Sequence, residues 1–311
     1  MANGKYTVSS SPHIRSTDTI QSIMQDVFIA LLPAAFAGVW FFRFSALWII
    51  LISIVTCVGA EALWQKLTNQ KITINDFSAA VTGLLLALNL PPTVPFWIPI
   101  VGGVFAIIVV KQFFGGLGQN FMNPALAARV FLLTSWTPQM TSWTFDGMTT
   151  ATPLGILKEG GAQLPSLADL LIGRIGGCIG ETSAIALLIG AAYLLYKKVI
   201  SIRIPATFIG TVFVLTWLLG RGGMFYSNAL YEIFTGGLIL GAFFMATDYA
   251  SSPVTEKGQY IMGLGCGIIT AVIRLYGGLP EGVSYAILIM NLAVPLIERY
   301  TRPHYFGEVK Q

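Results

Sequence analysis

Three stretches of this chain carry residue types that could do chemistry. In the first, Phe145 to Gly155 (FDGMTTATPLG), the hydroxyls of Thr149, Thr150 and Thr152 follow the Asp146 carboxylate in the one long polar interval between apolar runs. Pro153 biases Thr152 toward an extended backbone, which would present its hydroxyl outward. Hydroxyls before a proline also describe a plain solvated turn. In the second, GGLGQNFMNPA, Asn120 and Asn123 stand beside glycines. Glycines let a planar ligand approach the backbone, and each amide both donates and accepts, which matches the edge of a heterocycle such as a flavin ring. The competing reading makes Asn123 a helix cap before Pro124. A phosphate-binding dinucleotide loop is excluded, because the strand–turn–helix context is missing.

The third set is charge inside apolar sequence. Glu61, Arg129 and Glu181 lie nearest the middle of hydrophobic segments, whereas Asp248, Arg274 and Glu281 lie at their ends. Charges at membrane depth are costly, so they face a cavity, a partner charge or an ion path. Glu61, Arg129 and Glu181 are therefore the candidates for buried pairs or a cation route. Arg274 and Glu281 are close in sequence, and with Asp248 they also suit contact with lipid headgroups. Cys57, Cys178 and Cys266 each sit alone in an apolar run, without the spacing of a metal or iron–sulfur site, and read as small buried hydrophobes. His13 and His304 have no neighbouring ligand pattern. No metal site is expected.

The elements that must hold these residues are membrane helices. The composition is 55% hydrophobic and only 10% charged, and the mean hydropathy of +0.73 describes a polytopic membrane protein. A net charge of +4 without basic runs or base-stacking motifs fits the bias of membrane loops and excludes a nucleic-acid partner. Apolar runs predict spans at 24–42, 46–64, 77–90, 96–114, 124–136, 175–196, 204–219, 229–247, 260–276 and 283–297, about ten helices. Pro91-Pro92-Thr93 and Gly115-Gly116-Leu117 recur 162 positions later as Pro253-Val254-Thr255 and Gly277-Gly278-Leu279. An odd number of helices per repeat makes the second half enter from the opposite face.

The organisation expected is a cytoplasmic segment (1–23), a first membrane half (24–136), an extracytoplasmic loop (137–173), a second half (174–298) and a cytoplasmic tail (299–311). The excess of Lys and Arg puts both termini inside, with Lys111, Lys197 and Lys198 among the cytoplasmic charges. Arg43, Lys158 and Arg274 fall on the other side, with the Thr152 loop. The first residues lack the pattern of a cleaved signal peptide.

Taken together, these blocks resemble the membrane family that contains RnfD, of the Rnf complex, and NqrB, of the Na+-pumping NADH:quinone reductase. Its flavin-attachment signature is an Asp, two residues, a Ser or Thr, a small residue, then Ala-Thr. Here the segment reads Asp146-Gly147-Met148-Thr149-Thr150-Ala151-Thr152, with Thr150 where Gly or Ser is common. SPH near the start, GCIGETSA, MATDYASSPVT and RLYGGLPEGVSYAILIMN also look like family blocks. With roughly twenty residues before the first span, the resemblance is nearer to RnfD than to NqrB.

The resemblance implies an all-α polytopic fold in two inverted halves, similar to ammonium and urea channels. It implies FMN on Thr152 through a phosphoester and an uncharged riboflavin near Asn120 and Asn123. It further implies an electron-carrying subunit of an ion-pumping ferredoxin:NAD+ oxidoreductase complex in a prokaryotic inner membrane, not catalytic alone, moving Na+ or H+. Its partners would be the other Rnf subunits (membrane subunits, a second flavin-bearing subunit, iron–sulfur and NAD-binding subunits) and a flavin transferase. The alternatives are an NqrB-like subunit, or a solute channel of the same fold without a redox role, since fold alone does not decide function.

Overall fold

A computed structural model describes residues 18–145, 148–149, 151–159, 164–220, 229–278 and 281–303. Asp146, Thr150, His13 and His304 lie outside these residues. Helix α1 (Ile20–Leu67) opens on a capping box: the Thr19 hydroxyl accepts from the Ser22 N–H at 3.1 Å, and the Ser22 hydroxyl accepts from the Thr19 N–H at 3.0 Å. It breaks at Arg43, whose φ of 53° lies in the left-handed region. Phe28, before the break, meets the Phe77 ring at 6.5 Å, while Glu61, after it, shares the Lys111 ammonium with Ser78. Both halves of α1 thus reach the level of residues 77–78, and α1 is an antiparallel pair of spans hinged at Arg43. Phe36, Trp40, Phe44 and Val55 are exposed along it, as a lipid-facing surface requires.

The first half continues with α2 (Ser78–Leu88), α3 (Trp97–Phe114) and α4 (Pro124–Ser135). Helix α3 widens into a π-helical turn over Phe105–Lys111. A short helix α5 (Thr137–Met140), a two-residue ladder of β1 (Thr144–Phe145) with β2 (Met148–Thr149), α6 (Pro153–Glu159) and α7 (Leu167–Ile172) form the interval between the halves. The second half holds α8 (Ala184–Tyr196), α9 (Arg203–Leu219), α10 (Ala229–Phe234), α11 (Leu238–Leu240) running into a π-helical turn to Met245, α12 (Glu256–Tyr276) and α13 (Val283–Thr301). Four described helices, α1, α3, α12 and α13, are long and apolar enough to cross a membrane, and α2, α4, α8 and α9 are shorter apolar helices.

Two expected spans are interrupted. Residues 175–183 are not helical. Instead, the Ile179 and Gly180 N–H groups donate to the Leu90 and Leu88 carbonyls at 3.0 and 2.7 Å, closing the end of α2. Gly236 and Gly237, both at φ 65°, break the run from 229 to 247 between α10 and α11. Irregular backbone at this depth is tolerated only where protein satisfies it, and such broken helices build midplane sites. Each sequence repeat brackets one long helix: α3 between Thr93 and Gly115, α12 between Thr255 and Gly277. These two helices hold equivalent places in the two halves.

Candidate functional site

Thr152 is the N-cap of α6. Its Oγ1 accepts from the Gly155 N–H at 3.1 Å, its carbonyl from the Ile156 N–H at 2.9 Å, and Pro153 fills the first helical position. The side chain is only 7% exposed, so the hydroxyl turns back onto its own helix instead of facing outward. Thr149 pairs with Thr144 in the β1–β2 ladder. Helix α6 is pinned by Leu154 against Gly236 and by Lys158 Nζ, which donates to the Gly277 carbonyl at 2.6 Å. Gly277 caps the C-terminal end of α12. As it stands the buried, cap-bonded Thr152 hydroxyl has no open space beside it, and a bulky group on its oxygen requires it to leave the Gly155 N–H and turn outward. Ala151 is small, and a Cβ at Gly155 would come within 3.3 Å of Oγ1.

The asparagines occupy the other end of α12. Asn120 and Asn123 line a cavity with Lys111, Asp248, Phe243 and Tyr249, and the space is about 760 Å³ including the part that opens outward. Val199 is also in its wall, beside Ser201, whose hydroxyl bonds Gln259 in the first turn of α12 at 2.8 Å. Helix α12 has 21 residues, which at 1.5 Å per residue separates its ends by about 30 Å, the thickness of a bilayer core. Helix α3 reaches this cavity with Lys111 near its C-terminal end, and the N-terminal turn of α12 adjoins its wall through Gln259 and Ser201, the antiparallel sense of an inverted repeat.

Asn123 is the cap that the proline suggested. Its Oδ1 accepts from the Ala125 and Leu126 N–H groups at 3.1 and 3.2 Å, and its Nδ2 reaches the Met245 carbonyl at 3.4 Å. Asn120 is freer: its Nδ2 donates to the Met122 carbonyl at 3.1 Å, and among the described residues nothing donates to its Oδ1. A ring with polar edges and apolar faces fits a cavity with an open amide acceptor and aromatic walls. Burial raises the Asp248 carboxyl above its ordinary range, against the Ser251 hydroxyl, the Ala250 N–H and the Lys111 charge, which hold it back.

Between the two ends lies the Arg129 cluster. The guanidinium donates to Asn89 Oδ1 at 3.1 Å, Ser284 Oγ at 3.0 Å, Glu181 Oε1 at 3.4 Å and Cys178 Sγ at 3.5 Å, and closely to Glu281. Gly237 sits at φ 65°, where a side chain is strained, and a Cβ there would stand 2.7 Å from Glu181 Oε1 and push the carboxylate aside. Asn89 Nδ2 touches Met245 Sδ at 3.5 Å, and Met245 meets Asn123. A continuous row of contacts therefore runs from α6 through Gly236 and Gly237, Glu181, Arg129, Asn89 and Met245 to the cavity.

The structure unites Arg129 with Glu181 and sends Glu61 elsewhere, to Lys111 at 2.8 Å. Lys111 is 2% exposed and is not a loop charge. Its signal is visible in IIVVKQFF, where a lone cation interrupts a predicted span. Arg274 and Glu281 do not pair with each other. Arg274, 2% exposed, takes Glu232 and the Thr235 carbonyl, and Glu281 takes Arg129, so neither reading as a headgroup contact holds. The three cysteines are buried and free, as expected of small hydrophobes, and Cys178 donates to the Asn89 carbonyl at 3.2 Å.

The profile of the NQR2, RnfD, RnfE family matches residues 7–307. The chain belongs to this family. It is 55% identical over 311 residues to the D subunit of the Na(+)-translocating ferredoxin:NAD(+) oxidoreductase complex of Acetobacterium woodii, covering 98% of this chain and 96% of that one. It is 46% identical to the D subunit of the proton-translocating ferredoxin:NAD(+) oxidoreductase complex of Clostridium ljungdahlii, covering 97% and 96%. It is 35% identical to the D subunit of the ion-translocating oxidoreductase complex of Halorhodospira halophila, covering 97% and 95%. Family and helices together make it a multi-pass membrane protein.

Proposed function

We propose that this chain is the flavin-carrying D subunit of a ferredoxin:NAD+ oxidoreductase complex that couples electron flow to Na+ or H+ transport. FMN would be esterified to Thr152, and riboflavin would lie beside Asn120. What supports the reading is that Thr152 lies toward the C-terminal end of α12, through Lys158 and Gly277, and the asparagine cavity toward its N-terminal end, two helix ends about 30 Å apart. Bound flavins supply the electron chemistry; the protein supplies position and electrostatics. Thr152 provides the acceptor oxygen, on a helix fastened by Lys158 to the end of α12. Asn120 offers an amide to the polar edge of the second ring, while Phe243 and Tyr249 offer apolar walls that limit water. The buried Glu61, Arg129 and Glu181 are proposed to border the cation route, which then has two separate stations, since Glu61 does not join the other two.

Denaturing gels test the covalent site. The chain made with its transferase should fluoresce yellow-green under ultraviolet light, and Thr152→Ala should abolish the band. Thr152→Asn keeps a capping oxygen but offers no hydroxyl, so it should fold normally and stay dark. A fluorescent Thr152→Asn protein, or a dark native one, refutes the attachment.

The same reading sets the Thr152 loop outside the cell. With the three native cysteines buried, Ala168→Cys on exposed α7 should react with an impermeant thiol reagent in intact cells, and Lys198→Cys should not. Labelling of Lys198→Cys alone would invert the orientation.

A further inference from the structure

Lys111 is among the most deeply buried charges of the chain, yet it lines the asparagine cavity. An ammonium has three N–H donors. One goes to Glu61 Oε1 at 2.8 Å and one to Ser78 Oγ at 2.7 Å, and the third has no partner among the described residues. Glu61 is lopsided in the complementary way. Its Oε1 also accepts from Gln112 Nε2 at 2.8 Å and Gln65 Nε2 at 3.5 Å, while its Oε2 is buried without a hydrogen bond. A buried ion pair repays its desolvation only when the remaining donors and acceptors are satisfied. This one is left unfinished, and its lysine borders the cavity. Local backbone geometry sets the position, since Lys111 closes the π-helical turn of α3 and that turn shifts the register of Gln112 and the residues beyond it.

We propose that Lys111 is the positioning and potential-setting residue for the ring held in this cavity. The inference rests on the flavin reading of the cavity. The third N–H of Lys111 donates to an acceptor on the polar edge of the ring, and its charge favours the ring after it has gained electrons. Glu61 opposes that charge from behind and sets how much of it the ring feels. A lysine that merely neutralised Glu61 would have no reason to border the cavity with a donor to spare.

The two roles separate by the sign of their effects. In the purified complex, the potential of the noncovalent flavin is titrated, and acid-released riboflavin is measured per covalent FMN. Lys111→Met should weaken the preference for the reduced ring ten- to hundredfold, a drop of about 30–60 mV for a two-electron couple, and should lower riboflavin content. Glu61→Gln should shift the potential upward. The double variant, which buries neither charge, should lie between them. Equal shifts of the two single variants in one direction, or a native potential in Lys111→Met, would overturn the role. Should Lys111→Met fail to assemble, Glu61→Gln against the double variant isolates the same charge, and equal potentials in that pair overturn it. A native complex that releases no riboflavin overturns the flavin reading itself, which is a different failure.

Discussion

The chain buries two sets of charges in one apolar body, and they are built on opposite plans. The Arg129 cluster is closed: one guanidinium spreads its donors over groups from α2, the 174–183 segment and the start of α13, drawing both halves onto one residue of α4. The Glu61–Lys111 pair is open, with a spare donor on the lysine, which lines a cavity, and an unbonded oxygen on the buried glutamate. Closed networks hold structure together, because every group removed strands several others. An open pair leaves bonding capacity for a ligand.

The largest expected effect breaks the closed cluster. Arg129→Met strands the Glu181 and Glu281 carboxylates, and losing one partner of a buried pair costs about 3–5 kcal/mol. The purified complex should be unstable or absent, whereas Glu281→Gln, which removes the surplus negative charge, should survive with a melting temperature near native. A stable Arg129→Met protein would show that the cluster is not the fastening between the halves. On the same scale Lys111→Met should be milder, because Gln112 and Gln65 still donate to the remaining Glu61 carboxylate.

The smallest effects distinguish two asparagines that are near neighbours in sequence but differ in what they bond. Asn123→Ala removes a cap and should lower stability by about 1 kcal/mol, read as a reduced melting temperature. Under the proposed function, Asn120→Leu removes the open acceptor from the cavity and should deplete acid-extractable riboflavin several-fold while leaving the melting temperature and any FMN esterified to Thr152 unchanged. Intact riboflavin in Asn120→Leu would move the second flavin out of this cavity.

Much of this architecture is legible along the chain, because it depends on local chemistry. About twenty consecutive apolar residues announce a span wherever they fall, and the turn at Arg43 separates two such runs. Asn123 before Pro124 signals a helix start through the missing proline N–H and the capping oxygen, and it acts as a cap. Thr152 before Pro153, which reads as an outward hydroxyl in a turn, also proves to be a cap. The recurring Pro–Thr and Gly–Gly–Leu markers bracket α3 and α12.

Partners were not legible. Hydropathy reads 175–183 as helix because it counts apolar side chains, and it does not register that two N–H groups of this segment close the end of α2. The charges show the same limit. A glutamate inside a greasy run must find compensation, and that much follows from solvation alone. Which cation compensates it is a matter of which helices touch: Glu61 meets Lys111 of α3, Glu281 meets Arg129 across both halves, and Arg274 turns to Glu232 instead of its sequence neighbour. The need for a partner is a property of one residue and its solvent, whereas the choice of partner is a property of the packed chain, set by contacts between segments far apart in sequence.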